Sequence, residues 1–488
     1  MRLMSLEDIR NDRLKKLALL KEKGIPAYPA VSSRTTTIGD LLIDFDSKVD
    51  GAPTTVAGRV MAIREHGEML FADIFDGTGK IQGYFKADML GDAFALFVDI
   101  VDVGDFVDLS GVPTKTKRGE PSVLVSSWAM LSKSLRSLPE KWVGITDSEE
   151  RLRRRYLDIL TNDTARQVVE KRSIFWNAMR TFYLERGYTE VETPVLETIT
   201  GGAEARPFIT HHNALDIDVF LRISAGELWQ KKLMVAGIPK TFEIGRIFRN
   251  EGMSAEHLQD YTQLESYESY ADFETGMLLV QDLYRTVAEK TFSTTKFTIG
   301  EFEIDLNNEW PRIHFCERIQ KEYGIDPRKV VEEDAIALYK KTNPHMPTPE
   351  SKERAVDGLW KNIRKTIGGP AFLIGVPVYL EPLAKRSRDD DATVERFQVI
   401  LAGSEMGKGF SELNDPIDQR ERFVQQQALR DKGDEEAQMA DMEYVEAMEY
   451  GMPPTFGFGV SERLFSFLMN LNVREGQIFP LMRPRSEQ

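Results

Sequence analysis

The stretch "FRNEGMSAEHLQDYTQLE", residues 248–265, gathers Arg249, Glu251 and His257 ahead of Tyr261, Gln263 and Glu265. Histidine is scarce in this chain, six in 488 residues. The end of the stretch alternates polar and apolar positions, a side-chain period of two that reads as a strand with one polar face. The reading is an antiparallel pair, strands 241–249 and 261–270, joined by a polar loop. Glu265 and Tyr267 then share a face. An arginine at a strand end offers a planar fork of donors suited to carboxylate and phosphate. An aromatic ring on the returning strand, Tyr261, offers a surface on which a base can stack.

Outward from this pair, the chain after about residue 150 alternates long helices (165–186, 226–236, 273–291, 416–432, 436–449) with strands (217–223, 371–376, 396–404, 408–414), and "YTEVETPVL" at 188–196 also reads as a strand. Residues 316–369 are helical and polar, like an insertion. The pattern predicts an α+β domain on an antiparallel sheet. Residues 53–132 differ: five short β-rich runs, a hairpin signal at Asp76-Gly77-Thr78-Gly79 and one helix-like piece at 88–98 predict an OB-type barrel. A helix over 5–23 precedes it. The expected division is an N-terminal helical extension 1–50, a barrel 51–145 and a larger domain 146–488.

Composition limits the classes. Hydrophobic residues are 41% and aromatics 10%, a globular balance. No apolar run approaches the ~20 residues of a membrane helix, and "MRLMSLEDIRNDRLKK" lacks the apolar core of a signal peptide; a cytoplasmic protein with no membrane partner is expected. The single cysteine, Cys316, excludes an internal disulfide and reads as a buried thiol. Net charge is −15, so any RNA binding must rest on local basic patches. Candidates are Arg13, Lys15 and Lys16, "KTKR" at 115–118 and "RLRRR" at 151–155.

The ordered motifs resemble a known family. "FEIGRIFRNEG" with "YTQLESYESYADF" is similar to motif 2 of the class II aminoacyl-tRNA synthetases, "GYTEVETPVL" to motif 1 and "GFGVSERLFSFL" to motif 3. "RPFITHHNALDIDVFLRIS" and "GFSELNDPIDQRERF" resemble the bacterial-type lysine–tRNA ligase family more narrowly. The resemblance covers nearly the whole chain. It implies an anticodon-binding OB-fold and a class II catalytic domain. That domain would activate L-lysine with ATP and Mg2+, then transfer the lysyl group to the 3′ end of tRNA(Lys); motif 1 implies a homodimer. Carried over residue by residue, Arg249 would contact the lysine carboxylate and the α-phosphate. Glu251, His257, Tyr261 and Arg463 would hold ATP, with Arg249 and Arg463 the catalytic cations. Glu227 would take the lysine α-ammonium. Glu265, Tyr267 and Glu412 would surround the side-chain ammonium, with Phe410 along its methylenes. Phe71 and Gln82 would meet the anticodon, although by pattern alone Phe71 reads equally well as core.

Several positions depart from the family pattern. Leu258-Gln259-Asp260-Tyr261 replaces Asn-Pro-Glu-Phe, and motif 3 keeps only Gly457 and Gly459 of its glycines. Of two metal-binding carboxylates, Glu405 is present but Gln398 fills the other place, and a neutral amide is the weaker magnesium ligand. Lys408 stands for an asparagine beside the substrate carboxylate, and Ser127 for a carboxylate on the last barrel strand. Two other readings remain: an aspartate– or asparagine–tRNA ligase of the same subclass, and a catalytically silent RNA-binding relative. Two glutamates and a tyrosine suit a cationic side chain better than an acidic or amide one.

Overall fold

The computed structural model describes residues 5–139, 145–203, 205–252, 257–431 and 437–485. The chain divides into two units, 1–147 and 148–488.

In the first unit, strands β1 (Thr54–His66), β2 (Met69–Phe75), β3 (Lys80–Lys86), β4 (Phe106–Lys115) and β5 (Pro121–Ser132) close a barrel in the order β1-β2-β3-β5-β4. Alternation drives the closure. Leu70, Ala72 and Ile74 on β2, and Ile81 and Phe85 on β3, are buried inside with Val56, Val60 and Leu109. Phe71, Gln82 and Tyr84 face outward, partly exposed. The helix predicted over 88–98 is Asp92–Ile100, and the first helix is Leu6–Glu22, opened by a Ser5–Asp8 capping box. Two of the basic patches are partly paired within the chain, although Lys15 stays exposed. Arg13 is buried and donates to the carbonyls of Val103 and Arg136. In "RLRRR", Arg155 pairs with Asp158 at 2.6 Å, Arg153 with Glu149 and Arg154 with Glu150. Lys117 and Arg118, in the β4–β5 turn, stay exposed.

The second unit is built on a sheet of eight strands among the described residues. They are β6 (Thr189–Glu190), β10 (Lys240–Phe248), β11 (Asp260–Ser269), β14 (Arg312–His314), β15 (Ala371–Ile374), β16 (Arg396–Leu401), β17 (Ser404–Ser411) and β18 (Thr455–Ser461), in the order β14-β15-β16-β17-β18-β11-β10-β6. Within this sheet, among the described residues, only β6–β10 and β14–β15 pair in parallel. A small sheet of β7 (Leu196–Glu197), β8 (Ile209–His212) and β9 (Ile217–Leu221) and a hairpin of β12 (Lys296–Ile299) and β13 (Phe302–Asp305) complete the strands.

Period two assigns the faces. On one, Phe242, Leu264, Phe456, Phe458 and Val460 join a core with Tyr183, Val280 and Leu283 from the helices Asp163–Leu184 and Phe273–Phe292. The other face carries Glu265, Tyr267, Gly457, Gly459, Lys408 and Phe410. A second core of Leu228, Phe315, Trp360, Phe423 and Tyr444 lies beside Phe410. The expected strand 188–196 is not continuous. β6 and β7 are two-residue strands in different sheets, separated by Pro194, which has no N–H to give a ladder.

Candidate active site

The polar face of β11 is one wall of a cavity of about 360 Å³. Strand pairing places the pieces. β10 and β11 are in register through Glu243↔Glu265, β11 meets β18 through Tyr267↔Gly457, and β18 meets β17 through Phe410↔Gly457. Residues far apart in sequence thus become neighbours across four strands. Gly457 is required here: a Cβ at this position would collide with Glu412 Oε1 and crowd the Tyr267 ring. That accounts for one of the two surviving motif 3 glycines.

At one end, Glu265, Glu412, Glu227 and Tyr267 converge, all buried. Glu265 Oε1 accepts from the Ala225 amide (2.9 Å) and the Gln263 amide (2.6 Å), and Tyr267 donates to Glu265 Oε2 at 3.2 Å. Burial, then the charge of Glu227, pushes the Glu265 carboxyl up to about 7. The Glu412 carboxyl is driven well above its usual range, chiefly by burial and against the pull of Lys231. Lys231, itself buried, lies 2.5 Å from Glu412 and 2.7 Å from Glu227. Apart from that ion pair, neither Glu412 oxygen has a hydrogen-bond partner among the described residues. Nothing in the sequence pattern drew attention to Lys231, although its i, i+4 spacing from Glu227 on the helix Glu227–Val235 is the available signal.

Toward the other end stand Arg249 and Lys408. Arg249 donates to the Ile223 carbonyl, and its guanidinium lies 5.7 Å from the Tyr261 ring centre. Gln263, also on the wall, continues the polar row toward Glu265. Lys408 lines the cavity together with Phe410 and Glu412, as strand alternation predicts, while its Nζ pairs with Glu381 at 3.1 Å.

The other predicted residues lie apart from this wall. Glu251 and His257 flank residues 253–256, which are outside the described residues. Arg463 opens the helix Arg463–Leu468, where the end of β18 at Ser461 breaks the alternation, and it borders a separate depression with Ile299 and Phe467. Cys316 is buried, its thiol pushed up to about 12 by burial.

Glu405 and Gln398 do not fit a protein-held metal. Glu405 lines the cavity but accepts from Trp360 Nε1 (3.0 Å) and pairs with Arg364 (3.3 Å), while the Gln398 amide oxygen accepts from Arg396. No cluster of three or more His, Cys, Asp or Glu suited to a metal occurs among the described residues.

On the barrel, Phe71 is outside the core, so the reading of it as a core residue does not hold. It stacks on Tyr84 with ring centres 4.9 Å apart, and His66 meets its edge. Gln82 Oε1 accepts from Ser122. Tyr84, which the sequence reading passed over, completes an outward aromatic pair, and Ser127 is exposed on β5.

An antiparallel sheet bearing a carboxylate-rich cavity with an arginine on its wall, in one chain with a closed β-barrel, is the architecture of a class II synthetase. Residues 147–483 match the family described as tRNA synthetases class II (D, K and N), and residues 54–131 match the OB-fold nucleic acid binding domain. A lysine–tRNA ligase of Thermotoga maritima is 41% identical over 98% of this chain and 97% of its own. Those of Carboxydothermus hydrogenoformans (98% and 99% covered) and Roseiflexus castenholzii (99% and 100%) are each 42% identical. The chain belongs to the lysine–tRNA ligase family and is an aminoacyl-tRNA synthetase. No helix among the described residues is long and apolar enough to cross a membrane.

Proposed function

We propose that the cavity binds L-lysine along β17 and β11, with its side-chain ammonium between Glu265, Glu412 and Tyr267, its α-ammonium at Glu227 and its carboxylate toward Arg249 and Lys408. The observation that carries this is the carboxylate set on the cavity wall: Glu227, Glu265 and Glu412 are all buried, and among the described residues only Lys231 forms an ion pair with them. A buried set of three carboxylates with a single ammonium paired to it is costly unless a further cation arrives. An apolar amino acid would leave it unsatisfied and be rejected on that account.

ATP binds beside Arg249. The lysine carboxylate attacks the α-phosphorus, the α–β phosphoanhydride bond breaks and pyrophosphate leaves. A 3′-terminal hydroxyl of tRNA(Lys) then attacks the lysyl carbonyl and AMP leaves. Negative charge builds on the α-phosphoryl group in the first step, so the chain contributes position and fixed positive charge and needs no protein nucleophile. Arg249 supplies that charge at the wall. Glu251, His257 and Arg463 act on the outer phosphates, and Tyr261 lies against the adenine. Magnesium enters with ATP. Exposed Val195 and Leu196, in the motif 1 segment, support a homodimer that covers them. The barrel takes the anticodon on the Phe71–Tyr84 face, and the enzyme works in the cytoplasm.

Lysine-dependent exchange of pyrophosphate into ATP, assayed across the twenty amino acids, tests the activation reading. Exchange driven by lysine is expected; exchange driven by aspartate or asparagine instead would overturn it.

A further inference from the structure

Three carboxylates, Glu227, Glu265 and Glu412, line one end of the cavity. A lysine substrate brings two ammonium groups to it. The charges do not match until Lys231 is counted. Its ammonium is fully buried and is not part of the cavity wall, yet it touches two of the three acids, Glu412 at 2.5 Å and Glu227 at 2.7 Å. The Phe410 and Tyr267 rings, both on the wall, have their centres 5.4 Å and 5.9 Å from its Nζ. Tyr444, from the helix Met442–Glu449, is buried close by and senses the charges of Lys231, Glu412 and Glu227.

We infer that Lys231 is a specificity-determining positioning residue: an ammonium built in behind the cavity wall that lowers the charge of the three-carboxylate set by one, so that the cavity matches a substrate carrying two ammonium groups. It acts through Glu227 and Glu412 and touches no substrate. Without it, the mutual repulsion of the three buried carboxylates would be unopposed, they would hold protons more firmly still, and lysine would have to displace them to bind. The inference rests on the cavity being the lysine site.

Charge counting makes a prediction that packing alone does not. Lys231→Met keeps most of the side-chain volume and removes the charge. In the otherwise unaltered enzyme it is expected to raise the lysine KM in pyrophosphate exchange at least tenfold, with the ATP KM within about twofold of the parent. The acid-side rise of the lysine KM should also move to higher pH, because Glu412 then faces Glu227, Glu265, Tyr267 and Tyr444 with no cation among them. In a Glu412→Gln background the sign should reverse. There Lys231 is one positive charge too many, so Glu412→Gln with Lys231→Met should bind lysine more tightly than Glu412→Gln alone. A residue that merely fills space would make both backgrounds worse. An unaltered lysine KM in Lys231→Met, or a double variant no better than Glu412→Gln, overturns the inference. The double variant keeps the parent's net charge in this set, so that comparison stands even where Lys231→Met alone fails to fold. Glu265→Gln separates the two layers of the reading. If it leaves the lysine KM unaltered, the cavity is not the lysine site; if it raises the KM while the Lys231 comparisons fail, only the charge-matching role falls.

Discussion

Arg249 carries the heaviest demand of any single residue, since it is assigned both reactants. Removing one such preorganised donor typically costs ~10²–10³ in rate. Arg249→Lys keeps the charge and loses the fork, so pyrophosphate exchange should drop by about that factor; near-parental exchange would remove the residue from its role. Lys408 is more finely poised. It lines the cavity on the same strand face as Phe410 and Glu412, but is held by Glu381. Its distance along the strand from Glu412, ~13 Å over four residues, suits the carboxylate end of lysine. Lys408→Asn should therefore be tolerated and Lys408→Glu should raise the lysine KM sharply. No change in Lys408→Glu would mean that the Glu381 pair is all it does. Glu265 gives the pH response. Its carboxyl is raised to about 7 by burial first and Glu227 second. Below that pH it is protonated and cannot pair with an ammonium, so the lysine KM should rise as pH falls through 7, by up to about tenfold per unit for one competing proton. A KM flat from pH 8 to 6 would contradict it.

At the scale of elements, the strands with strict alternation were legible: 241–249 and 261–270 appear as β10 and β11, each within a residue or two of the expected ends. The break in the expected strand 188–196 was not, because the two-residue strands β6 and β7 carry no period to detect. Candidate residues meet at the cavity as expected where they sit on regular strands, as Glu265, Tyr267 and Phe410 do, with Glu412 one residue beyond β17. They read poorly where a helix brings a charge in from behind, as with Lys231, or where a strand ends early, as before Arg463. In the barrel the missing signal was the cross-strand partner. Phe71 alone is ambiguous, but register sets it opposite Tyr84, and only structure supplies register. Base–aromatic stacking is worth ~1–3 kcal/mol per base. Phe71→Ala and Tyr84→Ala should each weaken tRNA(Lys) binding by roughly ten- to a hundredfold, leaving lysine-dependent exchange intact. Parental tRNA affinity in both variants would move the interface elsewhere on the barrel.

Over the whole molecule, each unit has its own core. Leu20 through Met130 supply one, and residues beyond Val168 supply the others. A chain of residues 148–488 should therefore fold and retain lysine-dependent pyrophosphate exchange while charging tRNA poorly. Binding of tRNA by the full enzyme should weaken steeply with salt, as released counterions require. Full charging by the shortened chain would refute this division of labour. In the larger unit, strand β18 is shared property: Phe456, Phe458 and Val460 belong to the core, and the interleaved Gly457 and Gly459 to the cavity. Parity therefore governs what length changes the gene can survive there. Losing one codon within 455–461 would exchange the two sets for the rest of the strand, pushing phenylalanine rings into the cavity and glycines into the core. Losing two would shorten the strand yet keep every remaining residue on its own side. Viable insertions and deletions in this strand should come in even numbers.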